Sequence, residues 1–297
     1  MRTIKQPKFT HFNLPGAGIP LVFLQELRGR CPIRDLIWTA VLTLAHLSVA
    51  VALQTQLGVL REYNATSRLL SEILTMETIA IPFIFLPLAA VFGALAAPNS
   101  AGSQEVQSQL LTRLTAFDIC AGRLLAALWV PIFSLTISCA LWLSAQGVWR
   151  FVHVTDNGLA PVLLMFLTQF LALISTGALS MLSALTRKPA SNWGRGALIG
   201  TVWSLFSLSG ILLCNVGLRR MDDPVRVINA LLLINPATTA ASALNHDLLR
   251  RSWIYERTIA PQYLFSYPVV WQSVFFFGVL ALFALGTASW RLRRAYE

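Results

Sequence analysis

Long apolar runs alternate with short polar stretches along the chain, and the runs are of one size. Each holds about 20 residues, the length at which an α-helix crosses the hydrocarbon core of a bilayer. They predict membrane spans at approximately Leu36–Leu57, Ile79–Ala97, Leu124–Val148, Leu159–Leu185, Ala197–Leu218 and Val269–Trp290. The residue-by-residue alternation of an outer-membrane barrel is missing. A further stretch, Val225–Leu244, is ambiguous. Its apolar run Ala230–Ile234 is followed by Asn235-Pro236, and a span here would bury Arg226, Asn229 and Asn235 in lipid, at high cost. A helix that is interfacial or re-entrant is the expectation. Ahead of the first span, Pro20–Arg30 reads as an amphipathic helix. Leu21, Leu24 and Leu27 recur at helical spacing beside Phe23, with Gln25, Glu26, Arg28 and Arg30 mostly opposite. Pro20 suits its start and Pro32 its stop, and such a helix lies in the membrane interface. The architecture expected is therefore all-α and transmembrane. Residues 1–35 form an N-terminal arm with its interfacial helix, and 36–297 form a single six-helix membrane domain.

Composition fixes the surroundings. The 297 residues are 56% hydrophobic and only 12% charged, with mean hydropathy +0.63; a soluble domain carries roughly a quarter charged residues. A formal net charge of +10 would suggest nucleic acid for a soluble protein. In a membrane protein it reflects Lys and Arg gathered on cytosolic loops, so no nucleic-acid partner is expected. Six spans put both termini on one side. That side holds all the lysines (Lys5, Lys8, Lys188) and more than half of the arginines, among them Arg113, Arg123, Arg195, Arg291, Arg293 and Arg294. Both termini are accordingly expected in the cytosol, whereas a seventh span would carry Arg291, Arg293 and Arg294 outside. Trp38, Trp149, Trp193 and Trp290 fall near span ends, where amphipathic rings prefer to sit; Trp129, Trp142 and Trp203 lie deeper and read as packing residues. The run Ile19–Leu24 after the basic start is too short for a signal peptide, so targeting is expected from the first span.

Motifs for chemistry are sparse. The sequence has no G-x-x-x-x-G-K-[ST] phosphate loop, no H-E-x-x-H and no G-x-S-x-G. Cys31, Cys120, Cys139 and Cys214 have no metal-ligand spacing and read as small buried residues. His11, His46, His153 and His246 are too scattered for a metal centre. Acidic residues keep to span ends and loops, which argues against a carrier driven by an ion bound mid-span. The polar residues that do fall within spans, His46, Gln54, Gln169 and Thr176, are candidates for lining a translocation path, with interhelical hydrogen bonding as the alternative.

The polar interruption Ser100–Arg123 carries more information. Gln104, Glu105, Gln107 and Gln109 precede Leu110, Leu111, Leu114 and Phe117. A helix from about Gln104 places Leu110, Leu114 and Phe117 on one stripe, and Thr115 with Asp118 suits a break or cap before the next helix. A short helix with an apolar ridge and polar flanks is what a partner's groove accepts. The order Glu105…Leu110-Leu111-Thr112…Leu114-Thr115…Asp118-Ile119…Gly122-Arg123-Leu124 resembles the permease subunits of type-2 ABC (ABC-2) exporters. Ser183-Ala184-Leu185 ahead of Arg187-Lys188 resembles that family's exit from its fourth span. Asn235-Pro236 resembles its outer re-entrant region, and the interfacial helix its elbow helix, so the resemblance covers most of the chain. The chain departs from the pattern at Gln107-Ser108-Gln109, where Glu-Arg and a Gly-Thr pair are common, and at Arg123, where Lys is common.

The resemblance implies a transmembrane permease of a bacterial cytoplasmic membrane, working as a homodimer or heterodimer with a second permease chain. It implies a cytosolic coupling helix in which Gln104, Glu105, Leu110, Leu111, Arg113 and Leu114 meet a separate ABC ATPase subunit. ATP and Mg would bind on that partner; this chain is expected to hold no cofactor and to catalyse no reaction. The alternative is a non-transporting membrane anchor or assembly subunit that recruits a soluble cytosolic partner through the same helix. The transported substrate is left open.

Overall fold

The computed structural model describes residues 18–28, 37–38, 40–41, 44, 66–98, 114–148, 159–185, 192–244, 258 and 269–296. Among them every regular element is a helix: α1 (Ile19–Arg28), α2 (Thr66–Leu95), α3 (Ala116–Ala127), α4 (Trp129–Val148), α5 (Leu159–Ala184), α6 (Asn192–Leu218), α7 (Val225–Leu233), α8 (Pro236–Ala243) and α9 (Val270–Tyr296). Four are long and apolar enough to cross a membrane, over Thr78–Leu95, Val162–Ala184, Trp193–Leu218 and Val270–Arg294, and α3 with α4 makes a fifth apolar unit. The expected second, fourth, fifth and sixth spans are thus α2, α5, α6 and α9. Most of the expected first span lies outside the described residues; Ile37, Trp38, Ala40, Val41 and Leu44 within it are helical.

Proline placement explains two departures from the sequence reading. The third span, expected as one helix over Leu124–Val148, is divided at Leu128 with a bend of 62°. Pro131 is the cause: it has no N–H to give, and its ring crowds the carbonyl four residues back, that of Ala127, the last residue of α3. The neighbouring ladder survives, with Leu128 N to Leu124 O and Ile132 N to Leu128 O both at 2.9 Å. The stretch Val225–Leu244 forms two helices of nine and eight residues, with Pro236 at the start of the second. At a rise of 1.5 Å per residue neither exceeds about 14 Å, too short to span.

The interior combines large apolar side chains such as Phe85, Met165, Met181 and Phe277 with small and hydroxylated residues at the helix crossings, and the exterior is large and apolar. Helix α5 packs against α2, α6 and α9. Its Gly177 meets Gly93 of α2 so closely that a Cβ on Gly93 would lie 2.5–2.6 Å from the Cα and carbonyl carbon of Gly177. Gly196 and Gly200 of α6 seat in the same way on Ser180 and Ala184 of α5. Small residues at four-residue spacing let backbones approach where no hydrophobic force draws helices together. Ser134, Ser138, Ser204 and Ser207 are buried. Ser204 Oγ donates to Gly200 O at 2.8 Å and Ser180 Oγ to Thr176 O at 2.9 Å, so these hydroxyls are satisfied within their own helices. Leu198, Val202, Leu205 and Leu213 of α6 and Phe275, Leu282 and Phe283 of α9 face outward. That inverted distribution suits lipid as the surrounding medium. Trp271 and Trp290, both exposed, stand at the two ends of α9, about 28 Å apart along the helix, close to the roughly 30 Å hydrocarbon thickness.

Contacts also fix which helix ends adjoin. Near the end of α2, Gly93 meets Gly177 towards the end of α5; near the start of α6, Gly196 meets Ala184; and near the end of α9, Arg291 Nη1 donates to Leu182 O at 3.3 Å. Leu124 and Leu128, on and just after α3, approach Gly177, and α1 packs on α3. Pro98 and Leu114, the described residues on either side of 99–113, therefore both lie at the end of the bundle that carries α1 and the basic last turn of α9. Helices α7 and α8 sit at the opposite end, beside Leu208 of α6 and Ser273 of α9.

Candidate functional site

The start of α3 is held in a clamp. Thr115 and Asp118 form the reciprocal cap anticipated for them: Thr115 Oγ1 accepts from Asp118 N at 3.1 Å, and Asp118 Oδ2 accepts from Thr115 N at 2.9 Å. Helix α1 lies across this start. A Cβ on Gly18 would collide with the Leu114 side chain and come within 3.0 Å of the Asp118 carboxyl, and one on Gly122 would lie 2.6 Å from Val22 Cβ. Arg123 Nε stands 3.0 Å from Glu26 Oε1; the N–H is not aimed at the oxygen, so the attraction is charge on charge rather than a directed hydrogen bond. Phe23 adds an edge-on contact with Trp129, ring centroids 5.7 Å apart, and Trp129 stacks on Phe133 at 5.4 Å. The helix expected over Pro20–Arg30 is present as Ile19–Arg28. Val22 is fully buried and Glu26 half-buried against α3, while Leu21 and Leu24 face outward, 66% and 52% exposed. The exposed leucines are available to lipid, as suits an interfacial helix, whereas Glu26, expected on the polar side, faces Arg123.

Of the residues expected to couple to a partner, Gln104, Glu105, Leu110, Leu111 and Arg113 lie outside the described residues. Leu114 is described, half-buried against its own chain at Gly18. His46 and Gln54, two of the four path candidates, also lie outside. The other two are on α5, spaced seven residues apart and so on one face. Gln169 is 3% exposed; its Nε2 donates to Thr78 O of α2 at 2.8 Å, and its Oε1 has no partner among the described residues. Thr176 is fully buried, with Oγ1 likewise unpartnered. Gln169 is thus placed as an interhelical tie. Reading the sequence missed its partner, although Pro82, four residues after Thr78, marks a carbonyl without a helical donor.

At the opposite end Asn235 joins three elements. Its Oδ1 accepts from Ala237 N at 2.9 Å, capping α8, and its Nδ2 donates to Leu208 O of α6 at 3.0 Å. Thr239 Oγ1 bonds Ser273 Oγ of α9 at 2.8 Å. Polar backbone freed at the break is satisfied by the bundle, which is how a non-helical joint survives away from water. A small void of about 10 Å³, room for about one water molecule, lies between this joint and the spans, lined by Pro82, Phe85, Leu135, Gln169 and Pro236 among others. Among the described residues no group of three or more His, Cys, Asp or Glu is placed to hold a metal ion. No protein-family model matches the chain, and no curated protein or solved structure matches it.

Proposed function

We propose that the chain is the transmembrane permease subunit of an ATP-driven export system of the type-2 ABC kind, acting through a separate ATPase. The observation that carries the reading is the fastening of α1 over the start of α3 by Glu26–Arg123, Val22–Gly122 and Phe23–Trp129. Pro98 and Leu114, which flank the polar segment 99–113, both lie at that end of an apolar helix bundle. A force applied to that segment passes directly into α2 and α3, because both are continuous with it. The short joint α7–α8 would then be the re-entrant element on the outer side. A second permease chain would complete the path, and the ATPase would supply ATP and Mg. ATP must favour one arrangement of the helices over another for this to drive transport.

The test is co-purification of the tagged chain from its native membrane, identification of any ABC ATPase that it retains, and ATP hydrolysis by the pair in nanodiscs. Stimulated hydrolysis is expected, lost in Leu110→Asp/Leu111→Asp while the chain still inserts. Leu114 is left intact because it touches Gly18 of its own chain. Recovery of a non-ATPase partner alone would instead identify an anchor or assembly subunit.

A further inference from the structure

The outward face of α9 is an apolar strip with a notch in it. Val279, Leu282, Phe283 and Trp290 are 49–66% exposed, and their three- and four-residue spacing keeps them on one face. From Val279 to Trp290 they cover about 16 Å along the axis, half of a roughly 30 Å hydrocarbon core. Gly286 interrupts the strip between Phe283 and Trp290, exposed, with nothing within 4 Å of where a Cβ would stand. The hydroxyls beside it turn back on their own helix, Thr287 Oγ1 donating to Phe283 O at 2.7 Å and Ser289 Oγ to Gly286 O at 2.8 Å. The notch therefore stays apolar.

A cation stands just past the strip. Arg294, one turn after Trp290, holds its guanidinium carbon 4.0 Å from the centre of the indole ring. The ring takes the flat face of the guanidinium, and the N–H groups on its edge have no partner among the described residues. Such an edge is a fork that fits two oxygens of a phosphate. Arg195, exposed at the start of α6, adds charge at the same end of the bundle. Helix α9 contains no Asp or Glu. At this end Glu26 faces Arg123 and Asp118 caps α3; Glu297 follows α9 and lies outside the described residues. The other end of α9 has the exposed Trp271 but no Lys or Arg beside it, so only one leaflet meets the pairing of ring and cation.

We propose that α9 seats one anionic phospholipid in the leaflet at the α1 end, with an acyl chain in the notch at Gly286 and the phosphate on Arg294 above Trp290. A second copy of the chain fits this face less well. Close seams between membrane helices favour small residues rather than Leu282 and Phe283, and a parallel pairing of α9 with itself would set Arg294 against a like charge. The seat does not depend on the permease reading.

The experiment uses the full chain, without an ATPase, in nanodiscs of phosphatidylcholine and phosphatidylglycerol in equal parts, and counts the lipids retained in native mass spectrometry. An excess of retained phosphatidylglycerol is expected. Arg294→Gln is expected to lower that excess about fivefold, the effect of one arginine at an anionic surface. Trp290→Leu keeps every charge and is expected to lower it about twofold. Gly286→Leu fills the notch and is expected to reduce retention of both lipids. The proposal is overturned if Arg294→Gln retains phosphatidylglycerol as the unaltered chain does, or if Arg226→Gln, which removes an exposed arginine from α7 at the opposite end, lowers it equally. It is also overturned if inorganic phosphate displaces the lipid, or if the chain is a lipid-free dimer that Gly286→Leu dissociates. Retained phosphatidylglycerol on a chain that stimulates no ATPase would keep this inference and remove the permease reading.

Discussion

Gly93→Ala probes the close backbone approach of α2 to α5. The added methyl would meet three backbone atoms of Gly177, with nothing flexible to yield, and its nearest carbons would be 2.5 and 2.6 Å away. Ordinary carbon contacts need about 3.5 Å or more, so α2 and α5 must separate by about 1 Å along their seam. Overpacking of this kind costs about 1–3 kcal/mol, and a backbone obstacle places it near 3. Replacing a helical glycine by alanine returns about 1 kcal/mol of propensity, leaving a net loss of about 2 kcal/mol. For a chain of this size that is a fall in melting temperature of about 4–6 °C. Gly286→Ala is the matched control, since nothing lies within 4 Å of its added methyl and only the propensity gain remains. The assay is thermal unfolding in one detergent, followed by size-exclusion fluorescence. If Gly93→Ala melts within about 1 °C of Gly286→Ala, the two helices do not cross at Gly93 and Gly177, and the packing argument fails.

Three further outcomes are expected. Glu26→Gln frees α1 from Arg123, raising trypsin cleavage at Arg28 severalfold with little change in melting because the pair is partly exposed and contributes under about 1 kcal/mol; the swap Glu26→Arg/Arg123→Glu should restore protection, and equal cleavage in all three would refute the clamp. Asn235→Ala loses both the cap of α8 and the bond to Leu208, about 2 kcal/mol together, whereas Asn235→Ser keeps a cap and loses about half as much; matching melting curves for the two would show that the cap of α8 contributes nothing. Spin labels at Phe275 and Leu282 should collide with dissolved oxygen much faster than labels at Ala284 and Ala288, which are buried; equal rates would contradict a lipid-facing surface on α9.

Helix existence was legible because it rests on apolar length alone, which α2, α5, α6 and α9 display without ambiguity. The cap at Thr115 and Asp118 was legible because it is a local pattern across four residues. The inward turn of Glu26 was not. Nothing in the periodicity of Pro20–Arg30 tells which of its polar residues meets α3, and only the position of Arg123 decides it. The bend at Leu128 had a signal in Pro131, hidden by the unbroken hydropathy around it. Gln169 shows a different limit. Its burial was foreseeable, and the orphaned carbonyl at Thr78 follows from Pro82, but the pairing of the two depends on how α2 and α5 are set side by side, which the glycine contact fixes.

The 62° bend between α3 and α4 also divides the work of the two helices. Helix α3 is about 18 Å long and α4, at 20 residues, about 30 Å, so α4 alone matches the thickness of an average hydrocarbon core. With α4 along the membrane normal, α3 inclines at 62° to it and lies closer to the plane of the bilayer, beside α1.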